Sequence, residues 1–141
     1  MRSLIEDIFA HHLQNDTLDI QGDATRLRDM TEIQGDVLFS VDGFTVQPLE
    51  FPGGNIGSLA VHGTVNDLAV SGAIPKYLSL SAIIEEGLEF EVLDRVVASL
   101  AEAARHCAVR VVAGDDFQQQ RRILCAASQR ADLIQAAGKG D

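Results

Sequence analysis

Apolar residues recur at helical spacing in three parts of the chain. Residues 3–14 and 90–106 each carry apolar side chains three and four positions apart, which is typical of amphipathic helices. Between them, Asn55 has the side chain of a helix N-cap, and an apolar segment follows it to about Ser71. Gly72 lies just past that segment, where a glycine favours a helix end. The pattern therefore predicts three helices.

Short apolar or alternating runs predict four strands between these helices. The turn dipeptides Asp42-Gly43 and Gly114-Asp115 are expected to end the first strand and the last. Pro48 restricts the second strand to a short or edge position, because proline cannot donate to a sheet ladder. Interleaved helices and strands indicate an α+β fold, an α/β sandwich. The predicted strands are 37–41, 44–51, 76–84 and 109–112.

The character of the sequence changes after Asp116. Residues 118–122 are wholly polar, and residues 123–137 could form a helix but show no clear apolar face. We therefore expect one domain over residues 1–115, followed by a divergent tail over residues 116–141.

The acidic composition limits the kinds of partner that the chain can bind. The formal net charge is −10, which argues against nucleic acid or an anionic membrane as a partner, because both need a basic surface. ATP would need a divalent cation to offset the carboxylates. No apolar run is long enough to span a membrane, and the N-terminus is unlike a signal peptide, so a cytoplasmic location is expected. Cys107 and Cys125 form no zinc or disulfide pattern, and His62 reads as a packed histidine.

Asn66 and Asp67 are the most informative polar pair. They interrupt an apolar helix, where their side chains compete for backbone hydrogen bonds, and such exceptions are expected mainly at functional sites. The alternative is that both face solvent.

Asp42 and Asp115 each follow a short apolar strand directly. Carboxylates gathered at strand ends with Asp67 would suit Mg²⁺, which prefers carboxylate and phosphate oxygens. The alternative is that both aspartates only make turns. The run 51–57 leads into a helix N-terminus, where free amides attract phosphate, although an ordinary loop and cap explain it equally well.

The same residues carry a family resemblance. Residues 41–115 resemble the N-terminal domain of the hydrogenase maturation factors of the HypE type, relatives of aminoimidazole ribonucleotide synthetase in the PurM-like superfamily. The segments TVNDLA, Thr64–Ala69, and SGAIP, Ser71–Pro75, are similar to segments shared across that superfamily. PLEFPGGNIG, Pro48–Gly57, is similar to HypE specifically.

The resemblance implies a PurM-like mixed sheet packed with helices, paired with a second copy through its strands. It implies ATP with Mg²⁺ at an acidic site, with Asp42, Asn66, Asp67 and Asp115 as nucleotide residues. Asp42, Asp67 and Asp115 would hold the metal, and Asp67 would be the most critical for catalysis. HypE-type proteins use ATP to dehydrate a carbamoyl group on their own C-terminal cysteine. The group becomes a cyanide ligand of [NiFe]-hydrogenase, with HypF as carbamoyl donor and the HypC–HypD complex as acceptor.

The chain also departs from the family pattern. Compared with HypE, we expect it to lack the glycine-rich N-terminal stretch, the C-terminal domain and the terminal cysteine. Asp116-Phe117-Gln118 stands where HypE has Thr-Lys-Val, which removes an expected phosphate contact. Two hypotheses follow: an incomplete nucleotide-binding half of a HypE-type dehydratase, or a non-catalytic dimerisation module that keeps the fold. Whether the chain alone is an enzyme stays open between them.

Overall fold

The computed structural model describes residues 5–16, 24–27, 35–119 and 124–133. A π-helical segment, Ile5–Ala10, comes first, and two α-helices follow, α1 at Ile56–Val70 and α2 at Phe90–His106. The strands are β1 at Val37–Phe44, β2 at Glu50–Phe51, β3 at Gly54–Asn55, β4 at Ala73–Glu85, β5 at Arg110–Gln119 and β6 at Leu124–Leu133.

Four strands form one mixed sheet in the order β1-β6-β4-β5, and β2 pairs with β3 in a separate small ribbon. Strand β6 is antiparallel to both β1 and β4, while β4 and β5 are parallel. Alternate residues of β4, among them Leu78 and Leu80, are buried in a core that also contains Val97 and Leu100 of α2. Helices thus cover one face of a sheet, which confirms the predicted α+β fold.

Helix α1 begins and ends where the sequence predicts. The Asn55 side chain accepts hydrogen bonds from the backbone amides of Gly57 and Ser58, at 2.9 and 3.2 Å. Ser58 returns the contact, because its hydroxyl accepts from the Asn55 amide at 3.1 Å. At the other end, Gly72 has a φ of 85°, a left-handed conformation that stops the helix at no steric cost.

The two turn dipeptides do not end their strands, so that prediction is wrong. Asp42-Gly43 lies inside β1, and Gly114-Asp115 lies inside β5. Ladder pairing overrides the local turn preference at both places. At Gly114 an added Cβ would lie 2.9 Å from the carbonyl oxygen of Leu80, so the glycine permits close approach to β4.

Two further predictions of secondary structure also need correction. Of residues 44–51, Phe44 completes β1, and only Glu50–Phe51 forms a further, two-residue strand. Residues 124–133, predicted as potentially helical, form β6 between β1 and β4. A strand paired on both sides draws its stability from tertiary ladders, which a weak apolar pattern does not reveal. Residues 123 and 134–137, the rest of the predicted segment, lie outside the described part of the chain.

Two glycines let α1 approach its neighbours closely. A Cβ on Gly57 would collide with the backbone carbonyl oxygen of Val96 in α2. A Cβ on Gly63 would lie 2.6 Å from two ring carbons of Phe44 in β1. Glycine in a helix interior normally destabilises it, so its presence here reflects packing. Within the described ranges, no helix is long and apolar enough to cross a membrane.

Replacing these two glycines by alanine should have unequal effects. We expect Gly57→Ala to lower the free energy of unfolding by about 1–3 kcal/mol, because the obstructing atom belongs to helix backbone. Gly63→Ala should cost less, since the Phe44 ring can rotate or shift. Gly63 lies in the helix interior and Gly57 in its first turn, so the gain in helix propensity also favours Gly63→Ala. Urea unfolding of the parent and of both variants measures the two effects. Equal losses would contradict the role of the α1–α2 contact.

Candidate functional site

Asp42 lies within β1 on the strand's half-buried side. Its Oδ1 accepts a hydrogen bond from the Gly43 amide at 2.8 Å. Leu38 and Phe44, which share its alternation, contact α1 through Leu68 and Gly63 respectively. Asp42 therefore lies on the side of β1 that faces the helix layer, not beyond a strand end as the sequence predicts.

Asn66 and Asp67 lie in the second half of α1 with exposed side chains. The Asp67 carbonyl oxygen accepts a hydrogen bond from the Ser71 hydroxyl at 2.8 Å, which leaves the carboxylate out of that contact. Exposure agrees with the solvent-facing alternative and explains how two polar residues are tolerated in an apolar helix. It also leaves both groups accessible to a ligand.

Asp115 lies in β5, at the far side of the sheet from Asp42. Two strands, β6 and β4, separate β1 from β5. At about 4.8 Å per neighbouring pair, the backbones of the two strands are about 14 Å apart. Asp42 nevertheless lies in the same cross-strand row as Gly114. Asp42 pairs with Ala127, Ala127 pairs with Leu80, and Leu80 pairs with Gly114. The side chain of Asp115 lies outside the described part.

Of the predicted metal set, the structure describes the side chains of Asp42 and Asp67. Among the described residues, no group of three or more His, Cys, Asp or Glu side chains is close enough to hold a metal ion. The donor chemistry nevertheless fits Mg²⁺, since carboxylate and amide oxygens are hard ligands. The magnesium site stays a prediction.

The N-terminus of α1 is not an open phosphate site. The Gly57 and Ser58 amides both donate to Asn55, and the Ile56 amide donates to the Leu49 carbonyl oxygen at 2.9 Å. A phosphate would have to displace these contacts to reach the same amides. The run 51–57 thus serves as a loop and cap, the second of the two explanations that the sequence leaves open.

A cleft of about 540 Å³ lies between the β1–β2 connection and the β4–α2 connection. Its lining includes the apolar Leu49 and Leu88. Arg95 holds one of the lining glutamates, Glu50, through two hydrogen bonds of 2.7 and 2.9 Å, which lower the pKa of that carboxyl. The concentration of negative charge disfavours an anionic nucleotide in this cleft. The four glutamates of the lining are Glu50, Glu85, Glu86 and Glu89.

One contact joins a cysteine and a histidine that no sequence pattern connects. His62 is exposed in α1, so the prediction of a packed histidine is wrong. Cys107, just after α2, lies with its Sγ 3.6 Å from Nδ1 of His62 in α1. The two residues are 45 positions apart and only helix packing brings them together, so no sequence spacing could have revealed the pair. Burial raises the pKa of the Cys107 thiol, which keeps it protonated at neutral pH.

The other face of the sheet carries exposed apolar side chains on β1. Phe39 is 66% exposed and Val41 64%, while Val37 is 38% exposed. These are alternate residues, so they share one face, opposite to the half-buried set that contains Asp42. Ile74 at the start of β4 is also exposed, at 47%. The three β1 residues form a row of exposed apolar side chains, and exposed apolar surface is a feature of interaction sites.

Comparisons with known proteins agree with this fold. Residues 22–128 match the family described as AIR synthase related protein, N-terminal domain. Carbamoyl dehydratase HypE of Escherichia coli K12 is 49% identical over 124 residues, which cover 86% of this chain and 37% of that protein. The chain thus spans little more than a third of that relative.

Two solved structures are similar over nearly the whole chain. The hydrogenase maturation protein HypE in complex with ATP is 41% identical, with a TM-score of 0.87, and the match covers 94% of this chain and 40% of that one. HypE in a HypE–HypF complex is also 41% identical, with a TM-score of 0.69, and covers 94% of this chain and 43% of that one.

The cap of α1 offers a direct test of its structural role. We expect Asn55→Ala to lower the free energy of unfolding by about 1 kcal/mol, because two helix amides lose their acceptor. Asn55→Asp keeps an acceptor oxygen at the same position and should retain most of the stability. Chemical denaturation of the three proteins measures both effects. An alanine variant as stable as the parent would show that Asn55 does not cap the helix.

Proposed function

Because the chain belongs to the family of AIR synthase related proteins, whose N-terminal domain residues 22–128 match, we propose that it binds ATP with Mg²⁺. We further propose that it is the nucleotide-binding half of a HypE-type hydrogenase maturation protein. In that role it would serve the ATP-dependent dehydration of a carbamoyl group, which supplies the cyanide ligand of [NiFe]-hydrogenase. The relatives' additional length would provide the remainder of the reaction.

One observation carries this proposal above the others. A HypE protein crystallised in complex with ATP matches the fold of this chain over 94% of this chain and 40% of that protein, at 41% identity. Similarity of that extent supports a shared ligand in addition to a shared architecture. The acidic cleft and the occupied N-terminus of α1 offer no competing nucleotide site.

Four residues would form the site. Asn66 and Asp67 present accessible polar groups on α1, and Asp42 and Asp115 are carried on the two outer strands of the sheet. Mg²⁺ bound by Asp42, Asp67 and Asp115 would neutralise phosphate charge, which an acidic chain cannot do by itself. Because the backbones of β1 and β5 lie about 14 Å apart, more than one Mg²⁺ ion would be needed to engage both Asp42 and Asp115. Asp67 would be the most critical residue, because it is the most accessible of the described carboxylates in the set.

The proposed partners follow from the same premise. HypE is known in a complex with HypF, and the fold of that HypE is similar to this chain, so HypF is a proposed partner. The HypC–HypD complex is proposed as the acceptor of the product. Both proposals concern a whole HypE-type protein, of which this chain covers only a part.

A second copy of the chain is the proposed occupant of the exposed face of β1. Phe39 and Val41 are each about two-thirds exposed, and an apolar face of this kind is stabilised by covering it with a complementary surface. A symmetric pair of sheets would place the same residues opposite one another.

A second candidate function rests on this face alone. The chain would then be a non-catalytic dimerisation module that keeps the fold without ATP chemistry. It would form the same dimer as the first candidate, and its dimerisation and stability would be indifferent to nucleotide. Nucleotide binding therefore distinguishes the two candidates.

Isothermal titration with Mg-ATP tests the nucleotide site. We expect saturable binding by the parent, and a loss of about tenfold or more in affinity for Asp67→Asn, because a charged contact is worth about 1.5–3 kcal/mol. Chelation of the metal with EDTA should weaken binding by the parent. Asp36→Asn is the matched control, since it removes the same charge from an exposed residue outside the set.

The titrations of the parent and the two variants can give three results that contradict part of the proposal. Equal affinities of parent and Asp67→Asn would remove Asp67 from the site while leaving nucleotide binding in place. Absence of binding at millimolar Mg-ATP would contradict the first candidate and favour the dimerisation module. Equal losses in both Asn variants would reflect overall charge instead of a specific contact.

Light scattering coupled to size exclusion tests the dimer. We expect the double variant Phe39→Ser, Val41→Ser to shift the chain from dimer to monomer, because it removes the two most exposed apolar side chains of β1. Val70→Ser is the control, since Val70 is 85% exposed but lies at the end of α1. A parent that is monomeric at the same concentration would refute the proposed pairing.

A further inference from the structure

Two side chains from the N-terminal part of the chain donate hydrogen bonds to strand β5. The Asn15 side-chain amide donates to the carbonyl oxygen of Val111 at 2.8 Å. The Thr25 hydroxyl donates to the carbonyl oxygen of Val112 at 2.7 Å. Both donors are partly buried, and β5 is an outer strand of the sheet. The contacts therefore reach β5 at two consecutive residues.

These contacts lie at an irregularity in the pairing of β4 with β5. Leu78 is in register with Val111, but the next residue, Ser79, is in register with Ala113. Val112 is thus an extra residue, a β-bulge, and such a residue is left without a partner in the ladder. Val112 is buried, at 6% exposed, so its carbonyl oxygen needs a donor from elsewhere. Thr25 provides one.

The bulge determines the register of everything that follows in β5. With the extra residue, Asp115 is in register with Ser81. Without it, each later residue of β5 would pair one position further along, and Asp115 would meet Ala82. Because residues alternate between the two faces of a strand, a slip of one position exchanges the faces. The bulge at Val112 therefore determines whether Asp115 pairs with Ser81 or with Ala82 of β4.

We propose that Asn15 and Thr25 are positioning residues, which hold the bulge in β5 and thereby set the register of Asp115. The inference rests on the proposed function in one respect, because Asp115 matters to nucleotide binding only if it belongs to that site. Neither residue touches the nucleotide. Their contacts on Val111 and Val112 lie four and three positions before Asp115 in β5.

Thr25→Val and Thr25→Ser form the test pair in the full chain. Valine keeps the branched shape without the hydroxyl, and serine keeps the hydroxyl without the methyl. The first measurement is the cross-strand NOE pattern between backbone protons of Asp115 and Ser81, and the second is the Kd for Mg-ATP. We expect Thr25→Val to lose the NOE pattern and weaken binding by about fivefold, the equivalent of one neutral hydrogen bond. Thr25→Ser should retain both.

A purely structural role would give a different result. If Thr25→Val melted at a lower temperature but kept the register and the Kd of the parent, the inference would be overturned. Asn15→Asp, which replaces the donor by an acceptor of the same shape, should reproduce the loss of register. Absence of Mg-ATP binding by the parent would count against the proposed function alone. In that event the NOE pattern decides: register retained in Thr25→Val overturns the inference, and register lost supports it.

Discussion

The close approach of α1 to α2 and to β1 is the constraint on which the rest of the structure depends. Gly57 removes the Cβ that would collide with the Val96 carbonyl, and Gly63 makes room for the Phe44 ring. Because interiors are packed as tightly as organic crystals, the distance at Gly57, where the obstructing atom is backbone, cannot relax without moving a whole element. The helix carries its cap at one end and the Asn66–Asp67 pair near the other, so the two glycines fix the location of both.

The two faces of the sheet carry residues with different proposed roles. The helix-covered face holds the core and the half-buried set of β1 residues that includes Asp42. The opposite face presents Phe39 and Val41, which have no apolar cover within the described part of the chain. Successive side chains of β1 point to opposite faces of the sheet. Asp42, proposed for nucleotide binding, therefore lies on one face, and Phe39 and Val41, proposed for pairing with a second copy, lie on the other. Both roles depend on the register of β1 with β6.

Much of the local structure follows from interactions between residues close together in the chain, and the sequence alone predicts that part correctly. Helix α2 shows an apolar repeat at helical spacing, and α1 has a capping asparagine at its start and a left-handed Gly72 just past its end. These signals depend on residues within a few positions of each other. Residues 41–115 also indicate the N-terminal domain of the family, and the match of residues 22–128 to the family model confirms it. The α+β class, two of the helices and the family membership could therefore be determined from the sequence alone.

The tertiary structure decided what depends on distant pairing. Residues 124–133 are a weakly apolar run, and they form a strand because β1 and β4 offer ladders on both sides. The same pairing carries β1 through Asp42-Gly43 and β5 through Gly114-Asp115, against their local turn preference. The placement of Asp42 and Asp115 on the two outer strands also depends on distant pairing, because no local pattern specifies the strand order. Local sequence sets which conformations a segment favours, but hydrogen bonds and packing between distant segments determine which of them the folded chain adopts.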